Sequence, residues 1–319
     1  MQSSFAAKLK TDKKTRINFT VVCVAVLIVV LLSVFIPGFM TFTNMINLFD
    51  QFTTTGIMCV GMTLVLIVGG IDLSMPYVLI SAACVGATYM ANGGNAVVGI
   101  LIMLAIGALF GVINGFAIAK LKMIPFITTL SMMMVAEGFA IAYTDSKSIF
   151  GLPESFTVLG TKLGGVFPIP VIITLVLAAI VAIVLGRTSA GRIMYMIGAN
   201  EDTAKVCGIN TTLYKFFAYV ICGIISGLAA VVVTSRITMA GTTMVSDTTS
   251  MDAICGCVIG GASLNGGKGN IITSLLGTLL IVCITNCTNL LGISYYASIA
   301  LKGVIICIVM AVDVIRSNS

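Results

Sequence analysis

From Ile17 to Ile36 the chain runs for about 20 residues without a charged side chain, and runs of this kind recur almost to its end. A helix needs about 20 mostly apolar residues to cross the hydrocarbon of a bilayer. Composition agrees with that reading. Of 319 residues 59% are hydrophobic and 9% charged, against about a quarter charged in ordinary soluble domains. Seventeen basic and 11 acidic side chains cannot cover a soluble protein of this length. A soluble enzyme, a disordered chain and a nucleic-acid binder are excluded. The expected fold class is all-α, a polytopic protein embedded in membrane lipid.

Hydropathy places ten spans, near 17–36, 44–68, 74–90, 96–119, 124–143, 171–185, 216–234, 250–261, 271–291 and 297–315. Residues 1–16 form a basic tail with no cleavage site after the first apolar run, so that run is an uncleaved span. With both ends cytoplasmic, 13 of the 17 basic residues fall inside, and Lys147, Lys162, Arg236 and Lys302 fall outside. The positive-inside rule favours this arrangement. It makes 187–215 a cytoplasmic loop, 145–170 an extracytoplasmic one, and 17–315 a single membrane domain.

The chain has no His, the commonest general base and metal ligand. Nine of its ten Cys lie in apolar stretches and no zinc-type CxxC occurs, so they serve as packing residues and no metal site is expected. Gly107, Gly111 and Gly115 recur at helical spacing, as do Gly223 and Gly227. Such stripes let helix backbones approach closely, here within one bundle. A short likeness relates Leu66–Leu73 to Val258–Leu264 at a spacing of about 191, each with paired glycines (Gly69-Gly70, Gly260-Gly261) where a span breaks. Broken spans at matching positions mark transport pathways; duplication and chance both remain open on so short a match.

Charges inside a bilayer are costly, about 2.5–3.5 kcal/mol for Asp on insertion scales. Asp50, Asp72, Glu137 and Asp252 therefore need reasons. Asp72, followed by Ser74 and Pro76, is placed to satisfy N–H groups at the start of the third span. Glu137 lies well inside the fifth span, facing either the pathway or a structural partner. Asp252 sits near the outer end of the eighth, where it would cap the helix. In the long inner loop Asn200 can cap a helix whose first turn holds Glu201 and Asp202, suiting the positive end of the helix dipole. Gly208 would stop it. A single helix of about seven residues is marginal alone, so a soluble partner is expected to dock on it.

Four ordered motifs carry a resemblance: Gly69-Gly70-Ile71-Asp72-Leu73-Ser74; Asn114-Gly115 through Ile124-Pro125-Phe126-Ile127-Thr128-Thr129-Leu130; Gly191-Arg192 with Ile197-Gly198-Ala199-Asn200-Glu201; and Val258 through Gly269. Together they resemble the inner-membrane permeases of ribose-type carbohydrate ABC importers over nearly the whole chain. The resemblance implies a bacterial cytoplasmic-membrane subunit with no catalytic chemistry and no cofactor. It implies two permease subunits forming the pathway (homo- or heterodimer), an ABC ATPase subunit that binds ATP and Mg, and an extracytoplasmic sugar-binding protein. Arg192, Gly198, Asn200, Glu201, Asp202, Lys205 and Gly208 would then form the ATPase-coupling segment. Gly69, Gly70, Asp72, Ser74, Glu137, Asp252, Gly260 and Gly261 would line the pathway or its turns. No Walker motif is present; Gly266-Gly267-Lys268-Gly269 lacks the leading spacing and following hydroxyl. Family members often carry a basic residue near Glu137, where this chain has an acid. Nucleoside and branched-chain amino acid importers are the alternative within the same reading. An ion-coupled secondary transporter also fits the span count, but it would not need a capped docking helix.

Overall fold

The computed structural model describes residues 29–164, 167–246, 248–294, 296–304, 307 and 311. Most of the expected first span and the later part of the tenth lie outside them; their described parts, 29–35 and 296–304, are helical. Between these come α1 (Phe42–Ile67), α2 (Met75–Ala91), α3 (Ala96–Gly115, continued by a π-turn over Phe116–Lys120) and α4 (Pro125–Thr144). After one turn of helix, α5 (Glu154–Thr157), and a two-stranded hairpin of β1 (Lys162–Leu163) and β2 (Phe167–Pro168), α6 covers Ile169–Arg187. The remainder is α7 (Ser189–Ala199), α8 (Glu201–Val206), α9 (Thr211–Ile237), α10 (Thr249–Ile259) and α11 (Ile271–Leu290). Among the described residues six helices are long and apolar enough to cross a membrane, with α2 and α10 shorter apolar helices.

Local chemistry sets the helix ends. Asn95, Asn210 and Asn270 each accept a backbone N–H in the first turn of the helix they precede, and Pro125 opens α4 where its missing N–H costs nothing. The Asn210 cap starts α9 five residues before the expected seventh span. Lys215 suggests a loop in the sequence, but it lies on the helix because Glu201 neutralises it.

Packing follows burial. Every residue of α1 from Thr55 to Ile67 is buried, as expected for a helix apolar on all sides, and α6, α9, α10 and α11 surround it. Helix α3 packs on α9 through the two glycine stripes. A Cβ on Gly111 would lie 2.6 Å from the Tyr219 carbonyl oxygen, and one on Gly227 2.6 Å from that of Met103. The stripes thus close a seam within the chain.

The two glycine breaks share one hydrogen-bond pattern. Gly69 and Gly70 donate to Leu66 and Val65 at 2.9 Å; Gly261 and Ala262 donate to Val258 and Cys257 at 2.9 Å. Gly69 and Gly261 adopt φ of +79° and +89°, which any side chain would strain. This is a Schellman C-cap twice over. It pairs Gly69 with Gly261, one residue away from the register that the sequence likeness suggests.

Candidate functional site: a broken helix, a polar cavity and a surface helix pair

After Gly70 the chain is non-helical until α2 begins, and side chains from four helices hold it there. Asp72 is buried; its carboxylate accepts from the Ser74 N–H at 3.0 Å and the Ser74 hydroxyl at 2.5 Å. Asn114 on α3 donates to the Ser74 hydroxyl at 2.9 Å, and Ser250 at the start of α10 donates to the Leu73 carbonyl at 3.0 Å. Thr129 on α4 and Tyr219 on α9 both donate to the Ile71 carbonyl. A Cβ on Gly70 would collide with the Tyr219 hydroxyl, so glycine is needed for that approach. The start of α2 is thereby brought against the start of α10, inside the bundle.

Beside this junction lies a cavity of about 500 Å³. Tyr77 and Ile80 of α2, Glu137 and Ala140 of α4, and the stretch 242–246 before α10 line it. Ser81 fixes the wall by donating to the Ala136 carbonyl at 2.7 Å, which sets the position of Glu137. Thr242, Thr243, Ser246 and Tyr77 add hydroxyls, and no cation lies among the described lining residues. Helical spacing alone cannot find the 242–246 stretch, because it belongs to no helix. Asp252 is not a cap. Thr248 holds the N-cap position, while the Asp252 carboxylate forms a 2.8 Å ion pair with Lys302, both nearly buried. Lys302 is accordingly inside the bundle, because the buried acid needs its charge.

At the other end of α1 the stretch between α6 and α9 folds as two helices where the sequence suggests one. Thr188 caps α7 by accepting from the Gly191 N–H at 3.2 Å, and Asn200 caps α8 by accepting from Thr203 at 2.9 Å. The Thr188 cap is the signal in the sequence that marks the additional helix. Gly198 on α7 has no room for a Cβ against the Ile67 carbonyl. Gly267 donates to that carbonyl at 3.0 Å, and the Tyr195 hydroxyl donates to the Gly269 carbonyl at 2.8 Å. A Cβ on Gly266 would lie 2.9 Å from Cα of Gly69 and 2.7 Å from the Gly198 oxygen. Helix α7 therefore touches the chain at both glycine breaks, at Ile67 beside the first and at Gly266 to Gly269 beyond the second.

Helix α8 is tied to α9 by Glu201, which accepts from Lys215, from Lys205 at 3.2 Å and from the Thr211 hydroxyl at 3.2 Å. Burial alone would raise the Glu201 pKa; the hydrogen bonds and charges of Lys215 and Lys205 outweigh it and hold it at about 2. Lys205 is raised by hydrogen bonds to Asp202 and Glu201. Asp202 is 92% exposed and Val206 89% exposed. Gly208 ends the element at φ +77°. Arg192 precedes the apolar part of α7 and forms no ion pair among the described residues.

These broken helices, the interior polar cavity and the surface helix pair define a membrane transport subunit. The chain belongs to the family described as branched-chain amino acid transport system / permease component, whose model matches residues 44–312. It is 37% identical over 290 residues to the ribose import permease protein of Bacillus subtilis, covering 90% of this chain and 89% of that protein. It is 34% identical over 292 residues to the ribose import permease protein of Escherichia coli, covering 90% of each. It is also 34% identical over 282 residues to the L-arabinose transport system permease protein of Escherichia coli, covering 86% of this chain and 83% of that one. No solved structure matches. It is a multi-pass protein of the cytoplasmic membrane.

Proposed function

We propose that this chain is the permease subunit of an ATP-driven ABC importer and forms the pathway for a monosaccharide delivered by an extracytoplasmic binding protein. Ten spans with both ends inside put α7 and α8 on the cytoplasmic face and the mouth of the Glu137 cavity towards the outside. A second permease subunit completes the pathway, and a partner ATPase binds the nucleotide and Mg. Arg192 and the residues of α8 form the contact with it, Gly198 seats α7 against Ile67 behind that surface, and Asp202 and Val206 present an acidic and an apolar group to it.

The observation that carries the substrate class is the cavity lining: among the described residues, one carboxylate, several hydroxyls and no cation. A carboxylate accepts from vicinal sugar hydroxyls, and hydroxyl side chains both donate and accept. An amino acid, as the family description would suggest, is a zwitterion: Glu137 would accept its ammonium, but its carboxylate would find no cation among the described lining residues. The names of the ribose and arabinose relatives point the same way. The test is competition. Uptake of labelled ribose by membranes holding the whole complex should be inhibited by pentoses and unaffected by leucine, and inhibition by leucine alone would favour the amino acid reading.

A further inference from the structure

A second cavity, of about 480 Å³, opens at the end of the bundle opposite α7 and α8. Helix α1 gives it Asn44, Asn47, Asp50 and Gln51; α9 gives Arg236; and α11 gives Asn286, Asn289 and Leu290. Only the last is apolar. Spacings of three and four put these residues on single faces of α1 and α11, so two otherwise apolar helices turn polar stripes towards each other.

Part of this lining holds itself in place. Asn44 donates to the Asn286 carboxamide oxygen at 2.9 Å, and Asn286 returns the bond at 2.8 Å. Both are buried and make a fixed floor. Arg236 donates to the backbone carbonyl of Asp50. Helical Thr hydroxyls usually turn to the carbonyl four residues back, and for Thr54 that is this same carbonyl. The Thr54 hydroxyl is buried and has no partner among the described residues. The rest of the lining is unspent: the carboxamides of Asn47, Gln51 and Asn289 and the carboxylate of Asp50 bond to no described residue.

We propose that this cavity is a second binding site for a neutral polyol, at the outer mouth of the pathway; the orientation and substrate class rest on the monosaccharide reading above. Each carboxamide offers two donors and an acceptor, the complement of sugar hydroxyls that do both. Asp50 and Arg236 offset each other's charge across the lining, which suits a neutral solute better than an anion such as a lipid phosphate, and a lone carboxylate is too little for a metal. With Leu290 as the one apolar wall, a hydrophobic amino acid side chain finds no pocket. A cavity of this volume falls within the range of small-ligand sites, about 300–1,000 Å³.

The test uses the complete complex in lipid nanodiscs, with Cys207→Ser removing an exposed native thiol and Asn289→Cys or, separately, Asn47→Cys reporting on the cavity. Both positions are exposed, so neither change disturbs the core. The rate of labelling by a charged maleimide is measured with D-ribose, L-arabinose, D-galactose, adenosine or leucine present. One or more sugars should slow labelling several-fold at both positions, and Gln51→Leu should abolish the protection. Unchanged rates with every solute would overturn the site, and protection by leucine or adenosine alone would overturn the polyol assignment. Sugar uptake is measured on the native complex in parallel. Uptake without protection sinks this site and leaves the monosaccharide reading standing, whereas sugar protection without uptake sinks that reading and leaves the site.

Discussion

Glu201 and Asp202 are adjacent at the start of α8, yet they face different surroundings. Glu201 turns inward to Lys205, Lys215 and Thr211, while Asp202 is nearly fully exposed. Reversing Asp202 to Lys should therefore abolish ATPase pull-down and uptake while leaving the purified permease as thermostable as before. Glu201→Gln should instead loosen α8 from α9 and lower thermostability. Equal effects from the two variants would contradict this division. The Glu201 pKa is depressed from its ordinary 4.5 to about 2. Its tie is thus fully present above pH 4.5 and is lost as pH falls towards 2. A fluorophore on Cys207 should report a transition in that window, and Glu201→Gln should remove it. In the cavity, Glu137→Gln should weaken apparent sugar affinity by about tenfold, the scale of a charge-assisted hydrogen bond, with maximal uptake less affected. The pair of acids is legible in the sequence, but their division is not, because Lys215 and Thr211 lie 14 and 10 residues further on.

Helices are legible wherever hydropathy or a cap marks them, and eight of the ten expected spans correspond to described helices from α1 to α11. The features hidden in the sequence are those set by contacts distant along the chain. Asp252 reads as a cap because its partner, Lys302, lies 50 residues away. The Thr188 cap marks the start of helix α7, but its seat is hidden, because the stretch Ser189–Ala199 is anchored by a backbone approach at Gly198 that no hydropathy window records. That approach makes a prediction. Gly198→Val would force Cβ and two methyls against the Ile67 carbonyl, an overpacking of the kind that costs about 1–3 kcal/mol. It should uncouple the complex: ATP hydrolysis no longer rises with loaded binding protein, although the chain still inserts and assembles with its partner subunits. Tyr195→Phe, which loses only the hydrogen bond to Gly269, should show the same defect in milder form. Normal coupling in both variants would remove α7 from the transmission path.

For the whole molecule, the two Schellman breaks and helix α7, which contacts the chain at each of them, form one device. In the proposed importer a push on α8 by the partner ATPase would reach Ile67 and Gly267 through α7, and from there the starts of α2 and α10, which meet beside the Glu137 cavity. Among the described residues the acids do not gather into one cluster. Asp72 is occupied by Ser74 and Asp252 by Lys302, and Glu137 is the one acid among the described cavity residues. The central claim, that transport is driven by ATP on a partner subunit, is tested most directly by sugar uptake into vesicles holding the complete complex, supplied with ATP and treated with a protonophore and a sodium ionophore. Uptake should persist with the gradients collapsed and stop when a non-hydrolysable analogue replaces ATP. Uptake that ends with the gradients and ignores the analogue would contradict the account.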